Sequence, residues 1–463
     1  MRASQGRRAS LSESGYPVAG LYDQSPAGAG SYKPLPQIAR WGGLPQAGSN
    51  IALQGALQQG DRRPHGGLLQ CAVEYATSFH FPRESMKVRL IALVALFAAV
   101  SSFAADIRPL PSPPIIGATS YLVIDSKTGY EIATLEPDKA VAPASLTKLM
   151  TAYVVFKALR ENQIGFDDEL TISEKAWRAE GSRMFIEVGK RVPIRDLLLG
   201  MIVQSGNDAS IALAEHIAGT ESVFAEIMNQ YARALGMHSS NFLNATGLPD
   251  DNHYSTARDL STLARAIIGE FPDYYQWYSV REFTYNNITQ PNRNNLLWRD
   301  ESVDGMKTGH TEAAGYCLVS SAERDGMRII SVVLGTASAK SRIDGSQALI
   351  NFAFRFFETR LLYKAGEEIT KARIWKSAKE YSSLGVLDDL YITVQRGAYD
   401  SLESILNIPA VLEAPVAAGQ PLAELKVSLD GADVLTAPLR ALDDNPAGSI
   451  WQKTRDSIGL WFE

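Results

Sequence analysis

Hydrophobic and polar positions divide the chain into segments with different periodicities. From about Pro113 to Thr359, runs that alternate with the period of strands flank a long region with the 3.6-residue period of helices. The runs predict two hairpins, 121–125 with 131–135 and 315–323 with 327–336. The predicted helices are 144–160, 194–203, 208–218, 221–235, 256–268 and 341–358. Strands at both ends with helices between them predict an antiparallel sheet packed against helices, an α+β fold.

The pattern changes after residue 359. Over 360–444 the apolar runs are short and alternating, at 372–375, 390–394 and 422–427, and glycine and proline residues separate them. This pattern predicts a small all-β domain that follows the α+β domain.

The last segment, 445–463, has the period of an amphipathic helix. Its large apolar side chains fall on one side of that helix, at Ile450, Trp451, Ile458, Trp461 and Phe462. Tryptophan and phenylalanine on one helix face suit the interface of a membrane. We therefore expect a helix that associates with a membrane surface; the alternative is a terminal helix that docks on its own domain.

A signal-like sequence begins inside the chain rather than at residue 1. The basic segment Met86–Arg89 precedes the apolar run 90–100, and small residues ending at Ala104 follow. This order predicts a secretory signal peptide over 86–104, since the apolar run is shorter than the roughly 18–20 residues of a spanning helix. The preceding stretch, 1–85, is rich in glycine, serine, glutamine and arginine, and we expect it to be a non-native or disordered upstream extension. The α+β domain would then occupy 105–359 of an exported protein.

The composition limits the classes of partner and cofactor that we expect for this protein. A formal net charge of −6 without a basic stripe argues against nucleic acid as a partner. The two cysteines, Cys71 and Cys317, are too few for a disulfide framework, and Cys317 lies in an apolar run where a small buried side chain is expected. Six histidines without an H-E-x-x-H pattern give no reason to expect a metal or another cofactor.

The first motif that carries chemistry is S-x-x-K. Ser145 and Lys148 follow Pro143 at a predicted helix start, so they lie one turn apart on the same face. A serine hydroxyl becomes a good nucleophile when a neighbouring base takes its proton. A lysine can be that base where burial and nearby cations lower its pKa. The free N–H groups of a helix start can also stabilise a developing oxyanion.

The second motif is S-x-N, at Ser205 and Asn207, in a polar turn between two predicted helices. Ser205 can relay a proton between Lys148 and the leaving nitrogen, and Asn207 can bind a substrate amide. Taken alone, this tripeptide is more often an ordinary turn between helices.

The third motif is K-T-G, just before the second hairpin. Lys307 supplies positive charge, Thr308 offers its hydroxyl to a substrate carboxylate, and Gly309 lets a substrate backbone lie close to the strand. His310, which follows, either tunes protonation in the site or fills the end of the strand.

In the order S-x-x-K, S-x-N, K-T-G, these motifs resemble those of the serine penicillin-recognising enzymes. The surrounding residues, 142–151, 204–209, 283–298 and 303–310, are similar to the low-molecular-mass penicillin-binding D-Ala-D-Ala carboxypeptidases of peptidase family S11. The resemblance covers essentially everything after Ala105. It implies a penicillin-binding/serine β-lactamase-like domain that removes the terminal D-alanine from peptidoglycan stem pentapeptides and is acylated by β-lactams. It also implies a periplasmic enzyme on the outer face of the cytoplasmic membrane.

The same resemblance implies a role for each site residue. Ser145 is the acylated nucleophile, Lys148 its general base, and Ser205 with Asn207 the second wall of the cleft. The substrate-binding strand comprises Lys307, Thr308, Gly309 and His310, and the oxyanion hole uses the N–H of Ser145 and one near His310. For the terminal carboxylate the candidate arginine is Arg342, with Arg293 a weaker one, and a surface arginine without a role is the alternative for both.

Other activities remain open at this point. Glu282 and Asn286 match the E-x-x-x-N spacing of class A β-lactamases, but they lie in a β-rich segment and we interpret the match as chance. Endopeptidase or transpeptidase activity on cross-links fits the same motifs. A β-lactam sensor whose acyl-enzyme does not turn over is the non-enzymatic alternative.

Overall fold

A computed structural model describes residues 110–461, and the structural statements below refer to that range. Outside it lie the expected upstream extension, the expected signal peptide, Cys71 and Phe462. What was expected of these parts of the chain stays a prediction. The strands are β1 (Ser120–Asp125), β2 (Glu131–Leu135), β3 (Glu169–Thr171), β4 (Arg191–Pro193), β5 (Glu282–Tyr285), β6 (Ile288–Pro291), β7 (Val303–Thr311), β8 (Gly315–Arg324), β9 (Met327–Thr336), β10 (Phe357–Tyr363), β11 (Glu368–Arg373), β12 (Tyr381–Gly385), β13 (Leu390–Gln395), β14 (Leu402–Asn407), β15 (Pro421–Leu429) and β16 (Ala432–Ala441).

The helices follow the predicted order with different ends. They are α1 (Lys148–Arg160), α2 (Glu174–Trp177), α3 (Ile194–Leu199), α4 (Asn207–Ala218), α5 (Glu221–Ala234), α6 (Ala257–Glu270), α7 (Pro272–Tyr275), α8 (Leu296–Arg299), α9 (Ala339–Phe356) and α10 (Ile450–Gly459). Short 3₁₀ turns occupy Ala144–Thr147, Gln276–Ser279 and Tyr399–Ser401, and a π-helical turn occupies Gly200–Gln204.

Three predicted helix boundaries were wrong, and two of the differences lie at the motifs. The helix predicted from 144 is a 3₁₀ turn before α1, because Ala144 is left-handed with φ 47°. The helix predicted over 194–203 changes to a π turn, which ends at the left-handed Ser205. The helix predicted to 358 ends at Phe356, since Phe357 adopts the extended conformation and opens β10.

The first domain is built on a five-stranded antiparallel sheet in the order β2-β1-β9-β8-β7. Both predicted hairpins are present, as β1–β2 and β8–β9. The strands from the start and the end of the domain meet where β1 pairs with β9, and β7 lies at one edge. The predicted antiparallel sheet is therefore confirmed.

The sheet is covered on both faces, which accounts for its uniformly buried strands. Because successive side chains point to opposite faces, Leu122 and Ile124 pack into one core with α1 and the helices α3 to α6. Tyr121 and Val123 join a second core with α9 on the other face. The chemistry-bearing motifs lie at the border between the sheet and the larger helical layer.

The second domain is β-rich, as predicted. Its main sheet has the order β11-β12-β16-β15-β14, and β10 pairs with β13 beside it. The predicted boundary at 359/360 lies within β10. A polar cluster joins the two domains: Asp125 accepts hydrogen bonds from Thr128 and Thr359, and both threonine hydroxyls contact that of Thr393.

The C-terminal helix α10 has one docked side and one exposed side. Asp456 is buried and accepts a hydrogen bond from the backbone N–H of Lys376 at 2.8 Å, which attaches the helix to the β-rich domain. The apolar residues on the other side are largely exposed, at 81% for Ile450, 84% for Trp451 and 88% for Trp461. Within residues 110–461, every helix is too short or too polar to cross a bilayer.

Candidate active site

Ser145 lies in a strained turn that precedes α1. The turn Ala144–Thr147, called the nucleophile turn below, is entered through the left-handed Ala144 (φ 47°), a conformation that is costly for residues other than glycine. Within this turn, Ser145 lies three residues before Lys148. Lys148 Nζ then lies 3.2 Å from Ser145 Oγ, so the predicted pairing of the first motif is present.

Lys148 is fully enclosed and has three polar neighbours. Its Nζ lies 2.6 Å from Asn207 Oδ1, 2.6 Å from the carbonyl oxygen of Thr246, and 3.2 Å from Ser145 Oγ. A neutral amine has two N–H bonds and one lone pair. Because the two shorter contacts are to oxygens that can only accept, they take the two N–H bonds and leave the lone pair facing the serine hydroxyl.

The surroundings of Lys148 favour that neutral form. Burial, and after it the positive charge of Arg293, lowers the pKa of Lys148 to about 7, against smaller opposing effects of Asp208 and Glu221. A base is most effective when its pKa lies near the working pH. Lys148 can therefore remove the proton of Ser145 Oγ at neutral pH.

Ser205 directly follows the π turn and has a buried hydroxyl. Its backbone is left-handed (φ 70°), and its buried hydroxyl has no hydrogen-bond partner within the described part of the chain. An unsatisfied buried hydroxyl costs on the order of 1–3 kcal/mol, and such costs are found where a group is kept for a ligand. The position is consistent with the predicted proton relay.

Asn207 contacts protein groups at both ends of its amide. Its oxygen accepts from Lys148, and its nitrogen donates to the carbonyl oxygen of Glu180 at 2.6 Å. The amide oxygen therefore orients the base, Lys148. Asn207 lies in the site, and its predicted binding of a substrate amide stays a prediction.

The K-T-G strand packs directly against the nucleophile turn. A Cβ at Gly309 would lie 3.0 Å from the carbonyl oxygen of Pro143 and 3.3 Å from Ala144 Cβ. The glycine is therefore needed for this contact, and its predicted role in making room for a substrate backbone stays a prediction. Strand β7 is the sheet edge, so part of its backbone N–H and C=O groups can still pair with an extended peptide.

The strand also brings positive charge into the site. Lys307 is buried and its ammonium donates to the carbonyl oxygen of Thr308 at 3.0 Å. Burial lowers the pKa of Lys307 well below its usual value, and Lys148, Arg293 and Arg342 add to the effect. Lys307, Arg293 and Arg342 thus bring positive charge to one side of the site, which can attract a carboxylate.

The two candidate arginines occupy different places. Arg342 is 92% buried, and its guanidinium donates to the carbonyl oxygens of Gly309 and Cys317, at 3.2 and 3.4 Å, so it supports β7 from α9. Arg293, ranked lower from the sequence, is exposed and donates to the carbonyl oxygen of Gln204, beside the second motif. The structure thus brings Arg293 to the rim of the cleft.

His310 and Cys317 lie near the end of the same strands. His310 is exposed and its ring lies 3.9 Å from that of Tyr316. Cys317 is fully buried, as predicted, and burial raises the pKa of its thiol to about 11. The thiol is therefore an inert packing group.

Comparisons with known proteins agree with this arrangement. A family model described as D-alanyl-D-alanine carboxypeptidase, peptidase S11, matches residues 108–338, and a model of the C-terminal domain of penicillin-binding protein 5 matches residues 357–447. The D-alanyl-D-alanine carboxypeptidase DacA of Haemophilus influenzae is 40% identical over 379 residues, which cover 80% of this chain and 96% of that protein. The chain belongs to the D-alanyl-D-alanine carboxypeptidase family.

Further relatives support the same assignment. DacA of Escherichia coli K12 is 39% identical over 76% of this chain and 90% of its own length. The crystal structure of penicillin-binding protein 5 from Haemophilus influenzae has a TM-score of 0.71 at 42% identity and covers 73% of this chain and 99% of that one. The predicted family, fold class and catalytic class are thus confirmed.

This carboxypeptidase site includes residues that the motifs did not reveal. Asp208 accepts hydrogen bonds from the N–H groups of Met184 and Phe185, at 3.0 and 2.9 Å, and so holds a loop beside the S-x-N turn. Thr246 acts through its backbone carbonyl, which leaves no side-chain signal in the sequence. His253, buried beneath the nucleophile turn, could have been noticed only as an isolated polar residue near Asp250.

The E-x-x-x-N match does not describe a catalytic glutamate in this structure. Glu282 is exposed and opens β5, which pairs with β6 in a hairpin, as the β-rich pattern indicated. Among the hydrogen bonds of residues 110–461, none joins Glu282 to Ser145 or Lys148. The interpretation of this spacing as chance stands.

Proposed function

We propose that this protein removes the terminal D-alanine of peptidoglycan stem pentapeptides through an acyl-enzyme on Ser145. Neutral Lys148 takes the proton of Ser145 Oγ as this oxygen attacks the carbonyl carbon of the penultimate D-alanine. The peptide C–N bond then breaks, and the leaving nitrogen takes a proton from the Lys148 ammonium, with Ser205 placed to relay it. Water hydrolyses the resulting ester and frees Ser145.

The observation that carries this proposal is the geometry of Lys148. Two acceptors take its N–H bonds, its lone pair faces Ser145 Oγ at 3.2 Å, and its pKa is near neutrality. These are the requirements of an activated serine nucleophile. The cations at Lys307 and Arg293, with the Thr308 hydroxyl, supply recognition of the terminal carboxylate, and the relatives' printed activity supplies the substrate class.

β-Lactam inhibition belongs to the same proposal. A β-lactam places a strained amide and a carboxylate where the D-Ala-D-Ala peptide places its own, so Ser145 would open the ring and keep the acyl group. The relatives named as penicillin-binding proteins support this expectation.

The test is release of free D-alanine from a peptide that ends in D-Ala-D-Ala, with and without benzylpenicillin. We expect release that benzylpenicillin abolishes, and no release or penicillin adduct in Ser145→Ala. A stable adduct without any D-alanine release would favour the sensor, and rapid hydrolysis of penicillin would favour a β-lactamase. Release by Ser145→Ala at the wild-type rate would contradict the proposal.

We also propose that α10 attaches the enzyme to the periplasmic face of the cytoplasmic membrane. Its docked side is held by Asp456, while Ile450, Trp451, Ile458 and Trp461 remain exposed. Exposed apolar clusters of this kind mark interaction surfaces, and the signal-like segment before the domain supplies the route of export.

The membrane proposal has a direct test. The protein without its signal segment should cosediment with neutral phosphatidylcholine vesicles, because the helix binds by apolar burial rather than by charge. The double variant Trp451→Ser, Trp461→Ser should remain in the supernatant with unchanged D-alanine release. Equal sedimentation of both proteins would contradict the role of α10, and export can be checked by cell fractionation.

A further inference from the structure

The segment Phe242–Tyr254, called the clamp loop below, packs along the nucleophile turn and α1. Its carbonyl oxygens at Thr246 and Ala245 accept hydrogen bonds from Lys148 Nζ and Thr151 Oγ1, at 2.6 and 2.7 Å. Gly247 is left-handed (φ 83°), and a Cβ there would lie 1.8 Å from the carbonyl oxygen of Ala144. The loop is therefore in direct contact with the residue that precedes the nucleophile.

His253 connects the far end of this loop to the nucleophile turn. Its side chain is 3% exposed, its Nε2 lies 2.8 Å from Thr147 Oγ1, and the backbone N–H of Leu243 points to its Nδ1 at 3.4 Å. The ring also packs edge-on against Phe242, with centroids 5.8 Å apart. A histidine this enclosed and this oriented has one favourable tautomer.

That tautomer follows from the donors around the ring. A backbone N–H can only donate, so Nδ1 of His253 is the acceptor and carries no proton. The neutral ring then has its proton on Nε2, which donates to Thr147 Oγ1. Burial lowers the pKa of His253 to about 4; Asp250 opposes this and the charge of Lys148 adds to it.

Thr147 is the last residue of the nucleophile turn and directly precedes the base Lys148. It is fully buried, so its hydroxyl has few other partners, and it follows Ser145 by two residues and precedes Lys148 directly. The turn itself is entered through the strained Ala144, which adopts φ 47° only while its surroundings hold it. A fixed Thr147 side chain therefore fixes the direction of Ser145 Oγ relative to Lys148 Nζ.

We propose that His253 is a positioning residue of the carboxypeptidase: through Thr147 it holds the nucleophile turn so that Ser145 Oγ stays within reach of Lys148 Nζ. The inference rests on the acyl-transfer function proposed above and adds a residue to it. His253 contacts neither the substrate nor the reacting atoms, so its effect is on the rate of acylation rather than on substrate affinity.

The experiment removes each end of the hydrogen bond and then restores it. Thr147→Val removes the hydroxyl and His253→Phe removes the ring nitrogens, and each keeps the approximate volume of the side chain. Thr147→Ser keeps the hydroxyl. His253→Gln supplies an amide whose NH₂ can donate to Thr147 and whose oxygen can accept from the N–H of Leu243. His216→Gln, at an exposed position on α4, is the matched control for the loss of a histidine.

Acylation by a fluorescent penicillin is measured in single turnovers and normalised to the fraction of folded protein, and kcat and KM are measured on a D-Ala-D-Ala peptide. We expect Thr147→Val and His253→Phe each to slow acylation at least about tenfold, because small misplacements of reacting groups have effects of this size or larger. KM should change little, and the double variant should be no slower than the worse single variant, since both act through one bond. Thr147→Ser, His253→Gln and His216→Gln should acylate within about threefold of wild type.

Two results would overturn the inference. One is wild-type acylation in folded Thr147→Val and His253→Phe, and the other is a loss that disappears after normalisation to folded protein. A wild-type protein that is never acylated would instead contradict the proposed function itself, so the two failures are distinguishable.

Discussion

Asn207→Asp tests the assignment of Lys148 as the general base. The substitution preserves the shape of the side chain but places a carboxylate oxygen 2.6 Å from Lys148 Nζ, where the amide oxygen now lies. An opposite charge at this distance stabilises the ammonium form, so the pKa of Lys148 rises above its wild-type value of about 7. Since only the neutral amine can accept the proton of Ser145, the variant acylates more slowly at neutral pH.

The size of the effect follows from the neutral fraction of Lys148. In the wild type about half of the amine is neutral at pH 7, given a pKa of about 7. If the carboxylate raises the midpoint by about one to two pH units, a modest effect for an adjacent opposite charge, the neutral fraction falls about five- to fiftyfold. The deficit should vanish at high pH, where both proteins hold a neutral lysine.

The assay is single-turnover acylation by a fluorescent penicillin between about pH 5 and pH 10. The wild-type rate should rise about tenfold per pH unit below the pKa and level off above it, because the active form is the deprotonated one. The Asn207→Asp profile should have the same shape with its midpoint at higher pH. Asn162→Asp, which makes the same change at an exposed turn, should leave the profile unaltered. An unchanged or lowered midpoint in Asn207→Asp would falsify the assignment.

Three further predictions test other parts of the structure. Gly309→Ala places a Cβ 3.0 Å from the carbonyl oxygen of Pro143, so β7 must move and penicillin acylation should fall about tenfold or more, whereas Gly269→Ala, which has open space, should acylate normally; equal rates would contradict the contact. The Cys317 thiol is fully buried with its pKa raised to about 11, so it should react with a thiol reagent only after unfolding. Fast labelling of folded protein produced without residues 1–104, which omits Cys71, would contradict its burial. Asp456→Ala should release α10 from the β-rich domain, which hydrogen exchange would detect as faster exchange of the Lys376 amide; unchanged protection there would show that other contacts hold the helix.

The sequence alone was sufficient to predict the family, the fold class and most helices and strands, because each of these depends on a local sequence pattern. Period-two alternation and turn residues located the hairpins β1–β2 and β8–β9, and the three motifs located the cleft. The helix ends were less certain because tertiary contacts determine them. Ala144 is left-handed against Gly247 and Gly309, and no local propensity predicts a 3₁₀ turn at an alanine in that conformation.

The partners of the site residues were harder to predict than the residues themselves. Gly309 and Asn207 were predicted to contact the substrate, and the structure adds protein contacts that the motifs do not reveal. Gly309 lies close to Pro143, and Asn207 accepts a hydrogen bond from Lys148. Both contacts join segments far apart in the sequence, and the acceptor at Thr246 is a backbone carbonyl that any residue type could provide. A motif identifies which groups meet in a site, but the direction of each hydrogen bond depends on the packed backbone.

The pairing of β1 with β9 has a consequence for the order in which the molecule assembles. Ser120 pairs with Leu334, so the sheet stays incomplete until the chain has been made beyond residue 336. Helix α1 packs mainly against α4 and α5, which lie between these strands in the sequence. Contacts between distant parts of a chain form late in folding because their loops must first be closed. Pulse-labelled hydrogen exchange during refolding should therefore protect α1 before β1, and acylation by penicillin should recover only with the later phase. The K-T-G strand β7 pairs with β8, which in turn pairs with β9, so we expect catalytic competence to return only when the sheet is complete and a chain that ends before β9 to lack penicillin acylation.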